Sequence, residues 1–428
     1  MNELRTTELN TEVLVIGAGP AGVAAAVCAE RAGARALVAD MQAEPGGQIW
    51  RGQWNNYTNS AAAHWLGALA SSPAQTLYGA RLVALPQPGH ALFDTRGGAV
   101  HVRYERMVAA TGARELLLPF PGWTLPGVFG AGGLQVLAKN GWPVAGKRIV
   151  VAGTGPLLLA AADTLRQRGA RVVLIAEQCG RGALATFGRA LLRMPAKFAQ
   201  AAGLFTRLAG VSYRTNAWVV RVDDDGGRHV VVRVGARERR IACDYVAVGY
   251  GLVPNLDIAS GIGCDVQGGK VVVDGHQHTS VRGVYCAGEG TGIGGVDQAL
   301  AQGEIAGYAA AGSVERAAAA LARRDAAERF GALLSRTFAL RDELRSLAAP
   351  DTLLCRCENV AFGAASACGG QRAARLQTRL GMGHCQGRVC GAAASWLFGW
   401  DAASSRPPFA PVRIDRLDFS AYSTSGDH

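Results

Sequence analysis

A glycine-rich turn between a strand-like and a helix-like segment near the start of the chain constrains the fold more than any other feature. An apolar run at 13–16 precedes the turn, an alanine-rich stretch follows it to about Ala32, and a second apolar run at 36–39 ends at Asp40. The turn reads Gly17-Ala18-Gly19-Pro20-Ala21-Gly22. This order predicts a βαβ unit whose glycines permit a tight turn, close approach to a pyrophosphate and close packing of helix on strand. We expect the helix N-terminus to face phosphates and Asp40 to accept hydrogen bonds from a ribose, with a purely structural turn as the alternative.

The same order of segments occurs a second time, after residue 146. A strand-like run at 147–152 leads into Gly153-Thr154-Gly155-Pro156, and a helix-like stretch and a strand-like run at 172–176 follow, closed by Glu177. Leu158 stands where a third glycine would be, so the helix must lie further from the strand. The segment predicts a second nucleotide site in which Glu177 favours an unphosphorylated ribose, with Arg181 nearby as a contrary signal. A structural Rossmann half without a nucleotide is the alternative.

Composition narrows the class of protein. The 428 residues allow two to four domains, and 49% apolar against 18% charged residues is typical of a globular chain. No uncharged apolar stretch reaches the roughly 18 residues of a membrane helix, and the N-terminus lacks a secretory signal, so we expect a soluble cytoplasmic protein. Lys and Arg number 44 against 33 Asp and Glu, but the arginines are spread over the whole chain, so nucleic-acid binding is not expected.

Four of the ten cysteines form two close pairs near the C-terminus, after a stretch at about 313–347 that predicts a helical connector. The pairs are Cys355 with Cys357, and Cys385 with Cys390. Residues two apart in an extended chain point to the same side, so the first pair can share a metal, and glycines around the second pair let the backbone wrap a cluster. Four thiolates suit either a 2Fe-2S cluster or a zinc ion, and the spacing alone does not choose between them.

Two further short motifs make a resemblance specific. Ala110-Thr111-Gly112 lies between the two glycine turns, and Ala287-Gly288-Glu289 lies late in the chain. With the two turns, they resemble the flavoproteins related to thioredoxin and glutathione reductases, which have two dinucleotide-binding domains. The resemblance implies that the first turn, Asp40 and the adjoining Met41 hold the ADP half of FAD. It further places Gly46-Gly47-Gln48 near the isoalloxazine, Thr111-Gly112 on the strand returning from the first domain, and Gly288 and Glu289 near the ribityl chain.

Disulfide reductases of this type carry a redox-active cysteine pair, and this chain lacks one at both expected places. The segment after Gly47 reads Gln48-Ile49-Trp50-Arg51-Gly52-Gln53-Trp54, and the second nucleotide unit holds only the separated Cys179 and Cys243. Disulfide reduction is therefore not expected.

The C-terminal pattern Cys-x-Cys followed by Gly-Met-Gly-x-Cys-Gln-Gly-Arg-x-Cys resembles the 2Fe-2S domain of the bacterioferritin-associated ferredoxin type. All four ligand positions are filled, so the resemblance implies a 2Fe-2S cluster on Cys355, Cys357, Cys385 and Cys390, with the flavin as its electron partner. A zinc site and an empty relic are the alternatives, and His384 is expected to lie beside the site without ligating.

Four longer stretches, at 110–115, 119–128, 249–255 and 288–295, are similar to a narrower group. It comprises the α-type chains of dye-linked amino-acid dehydrogenases: the opine oxidase A chain, the D-hydroxyproline and L-proline dehydrogenase α chains, and the hydrogen cyanide synthase HcnB chain. In that group a catalytic flavoprotein β chain resembling amino-acid oxidases oxidises the amino acid, and its electrons pass to the α chain. The resemblance implies an electron-transfer subunit of a hetero-oligomeric dehydrogenase for hydroxyproline, proline or an opine. A small ferredoxin-like protein is a further candidate partner, and ATP or NAD is the candidate for the second nucleotide site.

Two other functions are kept as alternatives. One is a self-contained NAD(P)H:acceptor oxidoreductase, in which hydride passes to FAD and electrons then pass to the cluster. The other is a structural or regulatory partner whose nucleotide sites only stabilise the fold.

The features together predict an α/β chain with two Rossmann-like dinucleotide-binding domains and a small C-terminal helical 2Fe-2S domain. The expected segments are the first part of the FAD domain (1–117), the second nucleotide domain (118–250), the second part of the FAD domain (251–312), a helical connector (313–347) and the 2Fe-2S domain (348–428).

Overall fold

The computed structural model describes residues 7–54, 59–401 and 405–417. The chain forms two compact units. Unit 1 holds the described residues up to 114, those at 254–332 and those at 405–417, and unit 2 holds those at 115–253 and 333–401. The five segments predicted from the sequence stay a prediction, and residues 333–401 group here with the second Rossmann half.

Strands make up most of the two central sheets. In chain order they are β1 (Thr7–Ile16), β2 (Ala36–Asp40), β3 (Gln75–Tyr78), β4 (Arg81–Ala84), β5 (His90–Thr95), β6 (Gly98–Ala109), β7 (Ala113–Glu115), β8 (Val128–Gly130), β9 (Arg148–Gly153), β10 (Arg171–Glu177), β11 (Ser212–Thr215), β12 (Ala217–Asp223), β13 (His229–Val234), β14 (Arg237–Ala242), β15 (Tyr245–Gly249), β16 (Leu252–Pro254), β17 (Val266–Gln267), β18 (Lys270–Val271), β19 (Val284–Cys286), β20 (Leu353–Cys355) and β21 (Val360–Ala361).

Helices cover the sheets and form most of the C-terminal part. They are α1 (Pro20–Arg31), α2 (Ser60–Ala70), α3 (Ala131–Lys139), α4 (Pro156–Gln167), α5 (Arg181–Leu191), α6 (Pro195–Arg207), α7 (Asp257–Ile262), α8 (Val296–Ala310), α9 (Ala318–Thr337), α10 (Phe362–Ser366), α11 (Gln371–Thr378) and α12 (Cys390–Phe398). Within the described ranges, no helix is both long enough and apolar enough to cross a membrane. The cytoplasmic location stays a prediction.

Unit 1 is built on a seven-stranded sheet of order β3-β2-β1-β6-β5-β4, in which β19 also pairs with β6. Strand β1 runs parallel to both of its neighbours, β2 and β6. Val13, Leu14 and Val15 on β1 are 0% exposed, because a central parallel strand is covered on both faces.

Helix α8 packs on α1 through two glycines of unit 1. A Cβ atom on Gly303 would lie 2.2 Å from the carbonyl oxygen of Ala21, and one on Gly307 would lie 2.2 Å from that of Ala25. Larger residues would push the two helices apart, and the start of α1, which follows the first glycine turn, would move with them.

Unit 2 repeats the Rossmann plan with a five-stranded parallel sheet of order β11-β10-β9-β15-β8. A separate antiparallel sheet of order β12-β13-β14 packs into the same hydrophobic core. The predicted α/β class with two Rossmann-like halves is therefore confirmed.

The C-terminal part of unit 2 has a small core of its own, built by residues from Leu354 to Ala394. Its first strand, β20, is held to the second Rossmann half, because the indole N–H of Trp123 donates to the carbonyl oxygen of Leu353 at 2.6 Å. Arg356 stacks on the same indole at 5.0 Å. Much of the predicted connector is helical, as α9 and a 3-10 turn at Asp342–Ser346.

Candidate functional site

The first glycine turn lies at the carboxyl end of β1 and needs glycine at two places. A Cβ atom on Gly17 would lie 2.3 Å from the carbonyl oxygen of Ala110, and Gly17 has a φ of +104°. A Cβ atom on Gly22 would lie 1.7 Å from the carbonyl oxygen of Gly17. Both glycines therefore bring backbone closer than any side chain allows.

Other predicted residues of unit 1 come together around this turn. A Cβ atom on Gly47 would lie 3.0 Å from Cα of Gly19, and one on Gly288 would lie 2.8 Å from Cβ of Ala21. The amide of Gly46 donates to the carbonyl oxygen of Ala18 at 2.7 Å. The structure thus gathers the first turn, the 46–47 segment and the Gly288 turn at one place, where Pro20 begins α1.

Asp40 lies at the end of β2 and is partly exposed. Its carboxylate accepts the amide N–H of Ala18 at 2.6 Å and that of Gln42 at 2.7 Å. The side chain thereby fixes the turn, and its remaining lone pairs can accept from a ligand. Met41 is 60% exposed, and Gln48 is exposed and accepts a hydrogen bond from Arg51 at 3.1 Å.

Thr111 and Gly112 follow β6 and are held by Asn255, a residue that we did not single out. The Thr111 hydroxyl donates to the carbonyl oxygen of Asn255 at 2.8 Å, and the Asn255 side-chain amide donates to the carbonyl oxygen of Thr111 at 2.9 Å. The amide of Asn255 donates to the carbonyl oxygen of Gly112 at 2.9 Å. Its place at the end of the 249–255 stretch was the only signal for it.

Gly288 and Glu289 lie on a 3-10 turn, Gly288–Thr291, which Gln302 supports from behind. The Gln302 side-chain oxygen accepts the Gly288 amide N–H at 2.9 Å and the Thr291 hydroxyl at 2.8 Å. Gln302 is 1% exposed, and its side-chain nitrogen donates to Glu328 at 3.1 Å. Burial raises the pKa of Glu289, against the opposing effect of the Gly295 amide.

The second glycine turn, in unit 2, is more enclosed. Gly153, Thr154 and Gly155 are all buried, and Pro156 begins α4. Glu177, at the end of β10, is 1% exposed. Its carboxylate accepts the amides of Gly155 at 2.7 Å and of Cys179 at 2.8 Å.

Burial raises the pKa of Glu177 to about 7, against the opposing effect of the backbone N–H groups that it accepts. Leu158, at the place of a third glycine, is 1% exposed. The predicted second nucleotide, ATP or NAD, stays a prediction.

The four C-terminal cysteines are brought into a ring of thiols. Cys357 and Cys385 are hydrogen-bonded to each other, and so are Cys355 and Cys390. Cys355 also interacts electrostatically with Cys357, and Cys385 with Cys390. Cys355 and Cys390 are each 1% exposed, whereas Cys385 is half-buried and Cys357 is exposed. Within the described residues, however, no group of three or more His, Cys, Asp or Glu side chains is arranged to hold a metal ion.

Glycines and backbone amides surround this ring. A Cβ atom on Gly383 would lie 2.3 Å from Cβ of Cys357, so the loop approaches β20 as only glycine can. Burial raises the pKa of the Cys385 thiol, but the amide of Val389 and the Cys357 thiol bring its pKa below the ordinary value. Burial raises the pKa of the Cys390 thiol. His384, beside the ring, is exposed.

A family model for pyridine nucleotide-disulphide oxidoreductases matches residues 11–311. The chain belongs to this family. The match covers both glycine turns and the Gly288 turn, and the family's members are FAD-dependent oxidoreductases, as this chain is.

Relatives within reach of the family extend over almost the whole chain. The opine oxidase A chain of Rhizobium meliloti, a named subunit of that oxidase, is 30% identical over 95% of this chain and 98% of the relative. Hydrogen cyanide synthase subunit HcnB of Pseudomonas aeruginosa is 30% identical over 98% of this chain and 99% of the relative.

A solved structure, the L-proline dehydrogenase from P. horikoshii, covers 97% of this chain and 81% of its own with a TM-score of 0.69. Its sequence identity is 18%, so this similarity shows the shared fold alone. Family membership accounts for FAD on the oxidoreductase as a whole, while the residue-by-residue assignments stay predictions.

Proposed function

We propose that this chain is the electron-transfer flavoprotein and iron–sulfur subunit of a hetero-oligomeric amino-acid dehydrogenase, of the hydroxyproline, proline or opine type. A separate FAD-containing catalytic partner, similar to amino-acid oxidases, would oxidise the amino acid and hand its electrons to this chain. The near full-length relatives support the proposal, since both are named as subunits. The observation that carries it is the ring of four cysteine thiols in unit 2.

The first glycine turn is the proposed place for FAD. The start of α1 offers backbone N–H groups to phosphates, and the partly exposed Asp40 can accept from a ribose while it holds the amides of Ala18 and Gln42. Glu289 lies on the turn next to Gly288, which touches Ala21. FAD, when bound, supplies conversion between two-electron and one-electron transfer.

The residues of the cysteine ring fit a 2Fe-2S cluster in their chemistry. Four thiols interact in a closed ring, and close amides, such as that of Val389, can donate to ligand sulfur. Cys355 and Cys390 are covered by the small C-terminal core, whereas the exposed Cys357 leaves one side open to a partner. A single-electron carrier with one open side suits a protein that receives electrons from one partner and passes them to another acceptor.

The second candidate, an NAD(P)H:acceptor oxidoreductase, is favoured by the pyridine-nucleotide family to which the chain belongs. It requires a nicotinamide dinucleotide on the second glycine turn. Purified chain without a partner should therefore reduce a dye with NADH only if this second candidate holds. Rapid NADH turnover by the chain alone would sink the proposed function.

The cluster is tested by metal content in anaerobically purified full-length chain. Cys385→Ser should lose iron, acid-labile sulfide and the visible cluster absorption, while its FAD content stays near that of the wild type, because the first turn belongs to unit 1. Cys368→Ser is the matched control, since Cys368 is a buried thiol of the same small core that donates to the carbonyl oxygen of Ala364. Iron must survive in this control. Stoichiometric zinc with no iron would replace the redox role with a structural one.

A further inference from the structure

The position that a pyrophosphate takes in a Rossmann half is the glycine turn together with the start of the following helix. In unit 2 that position is the Gly153–Pro156 turn and the N-terminus of α4. A segment of the chain itself, residues 337–341 after α9, lies against this turn. The turn is buried as a result, although no motif predicts such a cover.

Phe338 is the residue in closest contact with the turn. A Cβ atom on Gly155 would lie 3.6 Å from Cγ of Phe338, so the ring is in van der Waals contact with the second glycine. The Thr154 hydroxyl donates to the carbonyl oxygen of Phe338 at 3.3 Å. The ring also packs edge-on against Phe187 of α5, at 5.2 Å between ring centres.

Gln178, which directly follows β10, ties the segment to the turn. Its side-chain nitrogen donates to the Thr154 hydroxyl and to the carbonyl oxygen of Ala339, both at 3.0 Å. Its side-chain oxygen accepts the Arg341 amide N–H at 3.2 Å. Gln178 is 2% exposed and Thr154 is 7% exposed, so these bonds are shielded from competing water.

Arg341 anchors the far end of the segment. Its guanidinium donates to the side-chain oxygen of Asn216 at 2.6 Å and to the carbonyl oxygen of Gln178 at 3.3 Å. It also stacks on the ring of Trp218 at 4.1 Å. At the other end, the Cys179 thiol donates to the carbonyl oxygen of Thr337 at 3.2 Å. Both ends of residues 337–341 are thus fixed to unit 2.

The hydrogen-bonding groups of the turn are engaged as well. The Gly155 amide donates to Glu177 and the Thr154 amide donates to the carbonyl oxygen of Gly249 at 2.8 Å. The Glu177 carboxylate, which would face a ribose, spends its oxygens on the amides of Gly155 and Cys179. An incoming pyrophosphate would have to displace Phe338 and also compete for these groups.

We propose that residues 337–341, with Phe338 at their centre, exclude a dinucleotide from the second glycine turn, so that this chain takes no hydride from NAD(P)H. The proposal goes beyond the proposed function, because it rests on unit 2 alone and holds whatever metal the cysteines carry. It assigns a specificity-determining role to a residue far in sequence from the turn.

Equilibrium binding of NADH to the full-length chain tests the proposal, with nicotinamide fluorescence as the readout. Wild-type chain should show no saturable binding up to about 1 mM NADH, and Phe338→Ala should tighten binding by at least about tenfold. Phe205→Ala is the matched control, because Phe205 is a phenylalanine of the same unit that is 51% exposed and does not contact the turn. Its affinity for NADH should equal that of the wild type.

Arg341→Ala provides a second variant in case Phe338→Ala fails to fold. It releases the segment from Asn216 and Gln178 without removing the ring, and it should also increase NADH affinity. FAD content of each variant reports whether the chain is folded. Micromolar binding of NADH by the wild type would overturn the proposal, and so would an affinity that neither substitution changes. These results do not depend on iron content, so failure here is distinguishable from failure of the proposed function.

Discussion

The two glycine turns of this chain share a backbone plan and differ in what faces them. In unit 1 the turn is met by glycine backbone, that of Gly47 and Gly288, and its acid, Asp40, is partly exposed. In unit 2 the turn is met by the ring of Phe338, and its acid, Glu177, is 1% exposed. One turn is left accessible to a ligand, and the other is covered by the chain.

What the turns share belongs to the fold. A Cβ atom on Gly17 would lie 2.3 Å from the carbonyl oxygen of Ala110, and one on Gly153 would lie 1.9 Å from that of Gly249. In both halves the first glycine lets the turn pass beside the neighbouring parallel strand. Such a glycine reports a Rossmann half, whereas ligand binding depends on residues that the motif does not contain.

The largest expected effect comes from Gly22, which has no glycine counterpart in unit 2. Gly22→Ala places a Cβ atom 1.7 Å from the carbonyl oxygen of Gly17, a backbone atom that cannot rotate away. We expect the free energy of unfolding to fall by about 3 kcal/mol or more and FAD to be lost on purification. Urea unfolding and flavin absorbance measure the two effects.

Gly67→Ala is the control for this substitution. Gly67 lies inside α2 with nothing within 4 Å of its Cβ position, so alanine there should stabilise the helix by up to about 1 kcal/mol. If Gly22→Ala kept both FAD and stability, the first turn would not need its third glycine, and the contrast with Leu158 would have no meaning.

The second effect in size is a pH dependence that Glu177 gives to unit 2. Its pKa is raised by burial from 4.5 to about 7. Between these pH values the folded chain keeps a proton that the unfolded chain has released, so the free energy of unfolding decreases as pH rises. The raised pKa corresponds to about 3 kcal/mol between pH 4.5 and pH 7.

Glu177→Gln removes this titration, so the decrease in unfolding free energy from pH 5 to pH 7.5 should become smaller by about that amount. Urea unfolding at the two pH values measures it for wild type and variant. Identical slopes would show that Glu177 is ionised in the folded chain, and that its place is more open than its burial indicates.

Sequence reasoning worked where one residue type carries the feature through its own backbone. Gly17 and Gly22 are required by contacts within a single βαβ unit, and a local pattern therefore predicts them. The cover on the second turn is different, since 184 residues separate Thr154 from Phe338. Nothing in the neighbourhood of either residue signals the contact, because it depends on where the chain returns after α9. Gln302 behind the Gly288 turn escaped notice for the same reason.

The smallest expected effect concerns the two acids as ligands. Asp40→Ala should weaken FAD binding by roughly tenfold to a hundredfold, because a ribose loses a charged acceptor worth about 1.5 to 3 kcal/mol. Glu177→Ala should leave FAD affinity unchanged, since its carboxylate is engaged with amides of unit 2. It should instead lower the stability of unit 2, because the buried amides of Gly155 and Cys179 lose their acceptor.

Titration of FAD into the apoproteins, followed by flavin fluorescence, measures the first effect. Urea unfolding of the same apoproteins accounts for any general loss of structure, because Asp40→Ala also frees the amides of Ala18 and Gln42. Asp40 would be a purely structural acid, like Glu177, if its removal lowered apoprotein stability but left FAD affinity intact. The two halves would then differ in their cover alone, and the accessibility of the first turn would rest on Gly47 and Gly288 without a contribution from its acid.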